Sequence, residues 1–153
     1  MSIKTVILIF CTVLLSSCHP LFCDWDSGYE QLIEITSDSI VIGKYELSEE
    51  SVKYLKSEGY NRPCLLELLA SGNFNLQSAP DFMFDSFGEN SGQSLNRKGE
   101  WGVYCGQSFK CMIELQGITV VPLMRKKDGT IGISITIGDG DECNGLVFER
   151  MNK

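Results

Sequence analysis

Cysteine is the residue type in this 153-residue chain with the widest possible chemistry, because a thiol can form a disulfide, bind a metal or be covalently modified. Of the seven cysteines, five come after residue 18. In an oxidising compartment an odd number allows at most two disulfides and leaves one thiol over. The easiest pair is Cys105 with Cys111, since they flank a Gly-Gln-Ser turn and could face each other across a hairpin. Fifteen pairing patterns remain open among Cys23, Cys64, Cys105, Cys111 and Cys143.

Residues suited to catalysis or metal binding are sparse. His19 is the only histidine and lies near the N-terminus, so no Cys-His or Ser-His pair can form within the domain, and a zinc site is disfavoured. Asp81 and Asp85 could act as acid and base, but their spacing is equally typical of a solvated loop. The oxygen-rich segment 139–144 lacks the length and the closing glutamate of an EF-hand loop. We therefore expect no enzymatic activity, no cofactor and no metal.

The N-terminus has the pattern of an export signal. Lys4 precedes an apolar run over residues 5–15, and the small residues of a Leu-Ser-Ser-Cys sequence end at Cys18. A positive start, an apolar stretch of about 7–15 residues and small residues at a cleavage point are typical of signal peptides. The run is shorter than the roughly 20 residues of a membrane-spanning helix.

The Leu-Ser-Ser-Cys sequence resembles the lipobox of bacterial lipoproteins. The resemblance implies that Cys18 is lipidated, that the signal peptide of residues 1–17 is cut off before it, and that Cys18 becomes the first residue of the mature protein. The mature protein would then be anchored to a membrane of the bacterial cell envelope through several acyl chains, which together anchor durably. Residues 18–30 would be a tether and residues 31–153 a single domain. The alternative is an ordinary secretory signal in which Cys18 has no special role.

The charge balance narrows the possible partners. The chain has 20 acidic and 13 basic residues, a net charge of −7, and loss of Lys4 with the signal peptide would make it −8. An acidic chain is a poor ligand for nucleic acids and anionic lipid headgroups. A basic protein partner in the envelope remains possible. The apolar content of 43% is sufficient for the packed core of one domain.

Hydrophobic periodicity divides the remaining chain into strands, one helix and one long loop. A serine cap at Ser48, two glutamates in the first turn and a stop at Gly59 predict an amphipathic helix over residues 48–58. An Asp-Gly turn at 128–129 predicts a hairpin between strands 118–124 and 130–137. Residues 78–98 show neither the hydrophobic period of a helix nor that of a strand and are predicted to be irregular. Further strands are predicted over residues 31–36, 39–43, 64–70, 74–76, 100–105, 111–115 and 146–150.

A Gly-x-aromatic-x-aliphatic pattern occurs three times, with spacings of 29 and 27 residues. The copies are Gly43-Lys-Tyr45-Glu-Leu47, Gly72-Asn-Phe74-Asn-Leu76 and Gly99-Glu-Trp101-Gly-Val103, with a looser fourth at 129–133. Residues two apart in a strand point to the same face, so each copy places a ring and an aliphatic group on one side of the sheet. Tyr45, Phe74 and Trp101 are therefore predicted to fill a small barrel or to line its pocket.

The Gly-x-Trp/Tyr strand openings, the Asn/Asp-Gly-x-Phe hairpin and the antiparallel meander resemble the lipocalin-like domains of small bacterial lipoproteins. The resemblance covers roughly residues 40–149. It implies a mostly β fold, in which an antiparallel meander forms a small lipocalin-like barrel with one short helix.

The loop over residues 81–89 is the candidate binding loop, because long loops inside compact domains are often functional. Its acidic and aromatic residues include Asp81, Phe82, Phe84, Asp85 and Phe87. Exposed together, the rings would form an apolar contact patch, and the acids would favour a basic partner. Alternatively, the rings fold back and close one end of the barrel.

These observations favour a non-enzymatic, lipid-anchored envelope lipoprotein with a binding or structural role. One alternative is an inhibitor or immunity-type protein that binds a basic toxin or a cell-wall hydrolase. Another is a carrier that holds a small apolar ligand among Tyr45, Phe74 and Trp101.

Overall fold

The computed structural model describes residues 26, 28–84, 91–106, 109–138 and 144–151. They form nine strands, one α-helix, α1 (Glu49–Ser57), and two 3-10 helices, Asp38–Ile40 and Asp81–Phe84. The strands are β1 (Tyr29–Gln31), β2 (Gly43–Leu47), β3 (Leu65–Leu68), β4 (Asn73–Pro80), β5 (Ser94–Gly106), β6 (Phe109–Leu115), β7 (Thr119–Lys126), β8 (Ile131–Thr136) and β9 (Gly145–Arg150).

Eight of the strands form a closed antiparallel barrel. Each strand from β2 to β8 pairs with the next one along the chain, and β9 pairs with β2 to complete the ring. Closure satisfies the hydrogen-bonding groups that an open sheet leaves exposed at its edges. β1 is additional and pairs with β7 beyond the end of β6. The predicted fold, a mostly β meander that forms a small lipocalin-like barrel with one helix, is confirmed.

The barrel interior is filled by side chains from alternate strand positions. Tyr45, Phe74 and Phe148 are among the largest fully buried side chains. Gly99 faces Phe74 across the β4–β5 pair, and a Cβ atom at this position would lie only 2.8 Å from the ring. Glycine at position 99 therefore makes room for the ring of Phe74 inside the barrel.

The strand connections alternate between the two ends of the barrel because consecutive strands are antiparallel. At one end, the tether end, β1 and β2 both begin. Residues 32–41 join these strands and bury Leu32 and Val41 in the core. The Arg150 guanidinium donates a 2.7 Å hydrogen bond to the backbone carbonyl of Ile40. The segment that closes the tether end is thus attached to the last strand of the barrel.

At the other end, the helix end, β2 ends and β3 begins, and α1 lies between them. The Ser48 side chain caps α1 by accepting a hydrogen bond from the Ser51 amide, so the predicted helix is confirmed. Only Ser51 and Leu55 of this helix are buried. The 3-10 helix Asp81–Phe84 also lies at this end. No helix in the part of the chain that the structure describes is long and apolar enough to cross a membrane.

Three local predictions were wrong. Residues 39–43 were predicted as a strand, but residues 38–40 form a 3-10 helix and β2 begins only at Gly43. Residues 78–98 were predicted to be irregular, but Ser78–Pro80 complete β4 and the first part of β5 pairs with it. A strand forms here although apolar and polar residues do not alternate, because the partner strand supplies the backbone hydrogen bonds. The first strand was predicted over residues 31–36, but β1 ends at Gln31 and instead takes in Tyr29 and Glu30, the last two residues of the predicted tether.

Candidate functional site

The three predicted pocket residues belong to the core of the barrel. Tyr45 and Phe74 are fully buried, and Trp101 is partly buried against the core. The Tyr45 hydroxyl donates a 2.5 Å hydrogen bond to the Val41 carbonyl, and burial raises the pKa of the phenol. The Trp101 indole N–H donates to the Leu69 carbonyl at 3.0 Å. The three rings thus contribute to core packing, and Tyr45 and Trp101 also hold backbone carbonyls in position. None of them lines the three pockets described below.

The candidate binding loop turns inward over its described part. Phe82 is only 1% exposed, Met83 is also buried, and Phe84 is partly buried with the Arg97 guanidinium 5.6 Å from its ring centre. Phe82 and Met83 are therefore part of the core rather than of an exposed patch. Asp85 and Phe87 lie outside the described residues.

The Asp81 carboxylate forms hydrogen bonds within this loop. Its carboxylate accepts hydrogen bonds from the Phe82 amide at 3.0 Å and from the amide and hydroxyl of Ser91. Burial alone would raise the pKa of Asp81, but these hydrogen bonds outweigh it and lower the pKa below its usual value. The Asp81 amide also donates to the Gln93 carbonyl, so the two ends of the loop are joined.

The cysteines of the barrel have different states. Cys105 and Cys111 form a disulfide across the β5–β6 hairpin, at the register shift between the two strands. Cys64 is a free thiol, and its burial raises the pKa to about 12, which suppresses the reactive thiolate. Cys18, Cys23 and Cys143 lie outside the described residues. Within the described ranges, no group of three or more His, Cys, Asp and Glu side chains could hold a metal ion.

A cleft between α1 and the start of β3, which we call the helix cleft, has a volume of about 380 Å³. It is lined by Glu46, Leu47, Val52, Leu55, Lys56, Tyr60, Asn61, Arg62, Pro63, Cys64 and Leu65. Val52 and Leu65 are apolar but remain 36% and 37% exposed. Sequence periodicity predicted an apolar face for this helix, but the pattern contains no signal that Val52 stays uncovered.

Two further pockets continue from the helix cleft over the outer face of β2 and β3. Their volumes are about 290 and 720 Å³; the smaller shares Glu46 and Leu65 with the cleft, and both contain Met151. We call the three together the β2–β3 groove. Of the seven large hydrophobic side chains exposed in the described ranges, four line this groove: Val52, Leu65, Leu69 and Met151. The apolar surface is thus concentrated on one side of the barrel.

The outer face of β5, β6 and β7 carries a second, smaller exposed apolar area. The Tyr104 hydroxyl donates a 2.8 Å hydrogen bond to the Glu114 carboxylate, which raises the pKa of the phenol. Its ring lies over Gly102, because a Cβ atom there would be 3.3 Å from the hydroxyl oxygen. Tyr104 and Val120 are both about half exposed.

A polar cluster fixes the chain where it enters the domain. The Tyr29 hydroxyl and the Lys126 ammonium group both donate to the Glu149 carboxylate, and Lys126 Nζ lies 5.0 Å from the Tyr29 ring centre. A Cβ atom on Gly132 would come within 2.9 Å of the ring, so glycine allows Tyr29 to lie flat on β8. Burial, followed by the Glu149 carboxylate, raises the pKa of Tyr29. β1 is thus attached to three strands of the barrel.

Comparison with known proteins finds no match to this chain among family models, curated proteins or solved structures.

Proposed function

We propose that this protein is a non-enzymatic lipoprotein of the bacterial cell envelope, anchored through acyl chains on Cys18, which binds a partner on the outside of its barrel. The observation that carries the proposal is the Leu-Ser-Ser-Cys sequence directly after the apolar run of residues 5–15. A cysteine at this point of an export signal is where lipoproteins are acylated. Several acyl chains on one residue would hold the domain durably at a membrane.

The position of the first strand is consistent with a short tether. β1 begins at Tyr29, so eleven residues, 18–28, separate the proposed lipid from the barrel. Such a segment spans at most about 36 Å when extended. Because Tyr29 is fixed to Lys126 and Glu149, the tether would leave the barrel at a defined point. The tether end would then face the membrane and the helix end would point away from it.

The packed interior favours binding on the outside. A carrier of a small apolar ligand among Tyr45, Phe74 and Trp101 would have to displace side chains that now fill the core. Displacing them costs their packing contacts and their hydrogen bonds to Val41 and Leu69. The β2–β3 groove needs no such rearrangement, since its apolar side chains are already exposed.

A second candidate is an inhibitor or immunity-type protein for a basic toxin or cell-wall hydrolase. The net charge of −7 favours it, because opposite charge accelerates and selects association between proteins. This candidate predicts a complex whose association rate falls steeply with added salt. A partner that binds only through the apolar groove would show little salt dependence.

The anchor is tested by membrane fractionation and intact mass of the native protein beside a Cys18→Ala variant. Cys11→Ala is the matched control, because it removes a cysteine of the apolar run of residues 5–15 without touching the acylation point. We expect wild type and Cys11→Ala in the membrane with acyl mass on Cys18, and Cys18→Ala without acyl mass. Unmodified, soluble wild-type protein would contradict the proposal, and Cys18 would then be a further candidate for disulfide formation.

A further inference from the structure

The helix cleft exists because α1 rests on the barrel along a narrow seam. Ser51 and Leu55 are its only buried residues, and the Ser51 hydroxyl accepts a 2.8 Å hydrogen bond from the Val147 amide on β9. The chain then returns to β3 through Tyr60, whose hydroxyl donates to the Ser78 carbonyl on β4. α1 and the chain that leads to β3 are thus held by contacts to other strands, which leaves a space between α1 and the start of β3. The volume of about 380 Å³ between them is within the range of roughly 300–1,000 Å³ for small-molecule sites.

The wall of the helix cleft suits an alkyl chain. Seven of its eleven lining residues are apolar or largely so: Leu47, Val52, Leu55, Tyr60, Pro63, Cys64 and Leu65. An alkyl chain in the cleft would remove the exposed parts of Val52 and Leu65 from water. Each methylene buried in this way tightens binding about fourfold.

Two cations accompany this apolar wall. In the part of the chain that the structure describes, neither Lys56 nor Arg62 forms an ion pair, although acidic residues outnumber basic ones by 20 to 13. The Arg62 guanidinium donates a 2.5 Å hydrogen bond to the Ser94 hydroxyl, which positions it. Glu46, on β2, is the one carboxylate among the lining residues. The cleft therefore joins an apolar surface to a net positive charge in an otherwise acidic protein.

We propose that the helix cleft binds a single-chain amphiphile with an anionic headgroup, of the fatty-acid type. The alkyl chain occupies the apolar space between Val52 and Leu65, and the headgroup pairs with Lys56 and Arg62. This site goes beyond the proposed anchor, because it uses neither Cys18 nor the tether. It also differs from the barrel-interior carrier, since Tyr45, Phe74 and Trp101 keep their places in the core.

The binding test uses the Cys18→Ala protein purified without detergent, so that neither attached acyl chains nor detergent compete for the cleft. Isothermal titration with dodecanoate, below its micelle concentration, should show one saturable site. Decanoate, which is two methylenes shorter, should bind about fifteenfold more weakly. Dodecanol and dodecyltrimethylammonium test the headgroup, and the cationic compound should bind most weakly because Lys56 and Arg62 repel it.

Two kinds of variant locate the site. Val52→Trp fills the mouth of the cleft and should weaken dodecanoate binding at least tenfold, whereas Leu69→Trp, similarly exposed but outside the cleft, should not. The double variant Lys56→Glu with Arg62→Glu should weaken dodecanoate about tenfold and leave dodecanol unchanged. Lys53→Glu, on the same helix but not in the cleft, is its control.

Methyl NMR shifts of the unsubstituted protein give a readout that does not depend on how a variant folds. Dodecanoate should shift the methyl groups of Val52 and Leu65 and leave Val120, on the far side of the barrel, unchanged. Absence of saturable binding, shifts centred elsewhere, or equal losses in Val52→Trp and Leu69→Trp would overturn the site. Equal affinity for the anionic and the cationic amphiphile would overturn the role of Lys56 and Arg62.

Discussion

The two ends of the barrel are closed by different means. At the tether end, residues 32–41 are held by buried or partly buried hydrogen bonds from Tyr45 to the Val41 carbonyl and from Arg150 to the Ile40 carbonyl. At the helix end, the Ser51 hydroxyl also accepts a buried hydrogen bond, from the Val147 amide, but only Ser51 and Leu55 of α1 are buried. The 3-10 helix at this end buries Phe82. Both ends thus combine hydrogen bonds with apolar contacts, but the helix end is covered by a helix that rests on the barrel along a narrow seam.

This difference explains the position of the helix cleft. A helix that buries only Ser51 and Leu55 leaves the surface on either side of Leu55 uncovered, and the helix cleft lies there. The tether end has free space of its own, in the pocket of about 720 Å³ that Ser39 and Gly43 help to line.

The largest expected effect is at the helix end. Phe82→Ala removes a fully buried ring and should lower the free energy of unfolding by about 3–5 kcal/mol, measured by urea denaturation. Because Phe84 is only partly buried, Phe84→Ala should lower the free energy of unfolding by clearly less. If Phe82→Ala costs under about 1 kcal/mol, this segment does not close the barrel.

The narrow seam of α1 can be tested by two substitutions on the same helix. Leu55→Ala should lower the free energy of unfolding by about 2–5 kcal/mol, because Leu55 is buried in the core. Val52→Ala should change it by no more than about 0.5 kcal/mol, since Val52 faces the cleft. Similar losses in the two variants would mean that the helix packs on the barrel through a broad face and that the cleft is closed in solution.

The polar closure of the tether end is tested by Tyr45→Phe. The ring stays, but the buried Val41 carbonyl loses its hydrogen-bond donor, and the free energy of unfolding should fall by about 1–3 kcal/mol. Tyr104→Phe is the matched control at an exposed hydroxyl and should cost at most about 0.5 kcal/mol. A neutral result for Tyr45→Phe would mean that this hydrogen bond does not hold the segment that closes the tether end.

The smallest expected effect concerns pH. Hydrogen bonds lower the pKa of folded Asp81 below the unfolded value of 3.8, so its charge stabilises the fold above about pH 4. Wild type should therefore unfold at a slightly higher temperature than Asp81→Asn near neutral pH. This advantage should shrink as the pH falls through the lowered pKa of the folded protein. A difference that stays constant down to about pH 2 would show that the charge of Asp81 does not matter.

Local signals predicted much of the fold. The Ser48 cap, the Asp-Gly turn and the spacing of Cys105 and Cys111 each act over a few residues, and the helix, hairpin and disulfide follow them. The start of β5 was missed because its pairing with β4 depends on a strand that comes before the candidate binding loop. The Gly-x-aromatic repeat correctly placed Tyr45 and Phe74 inside the barrel, but the requirement for glycine at position 99 comes from its neighbour across the sheet.

The sequence by itself determined which residues alternate in strands, where the helix begins and which side chains are apolar enough for a core. It also contains the Cys18 pattern from which the anchor is proposed. Only the tertiary structure decided that Leu47 pairs with Phe148 to close the ring, that Phe82 lies inside and that Val52 stays at the edge of a cleft. Periodicity is a property of neighbouring residues, whereas burial depends on the register and curvature that all eight barrel strands set together.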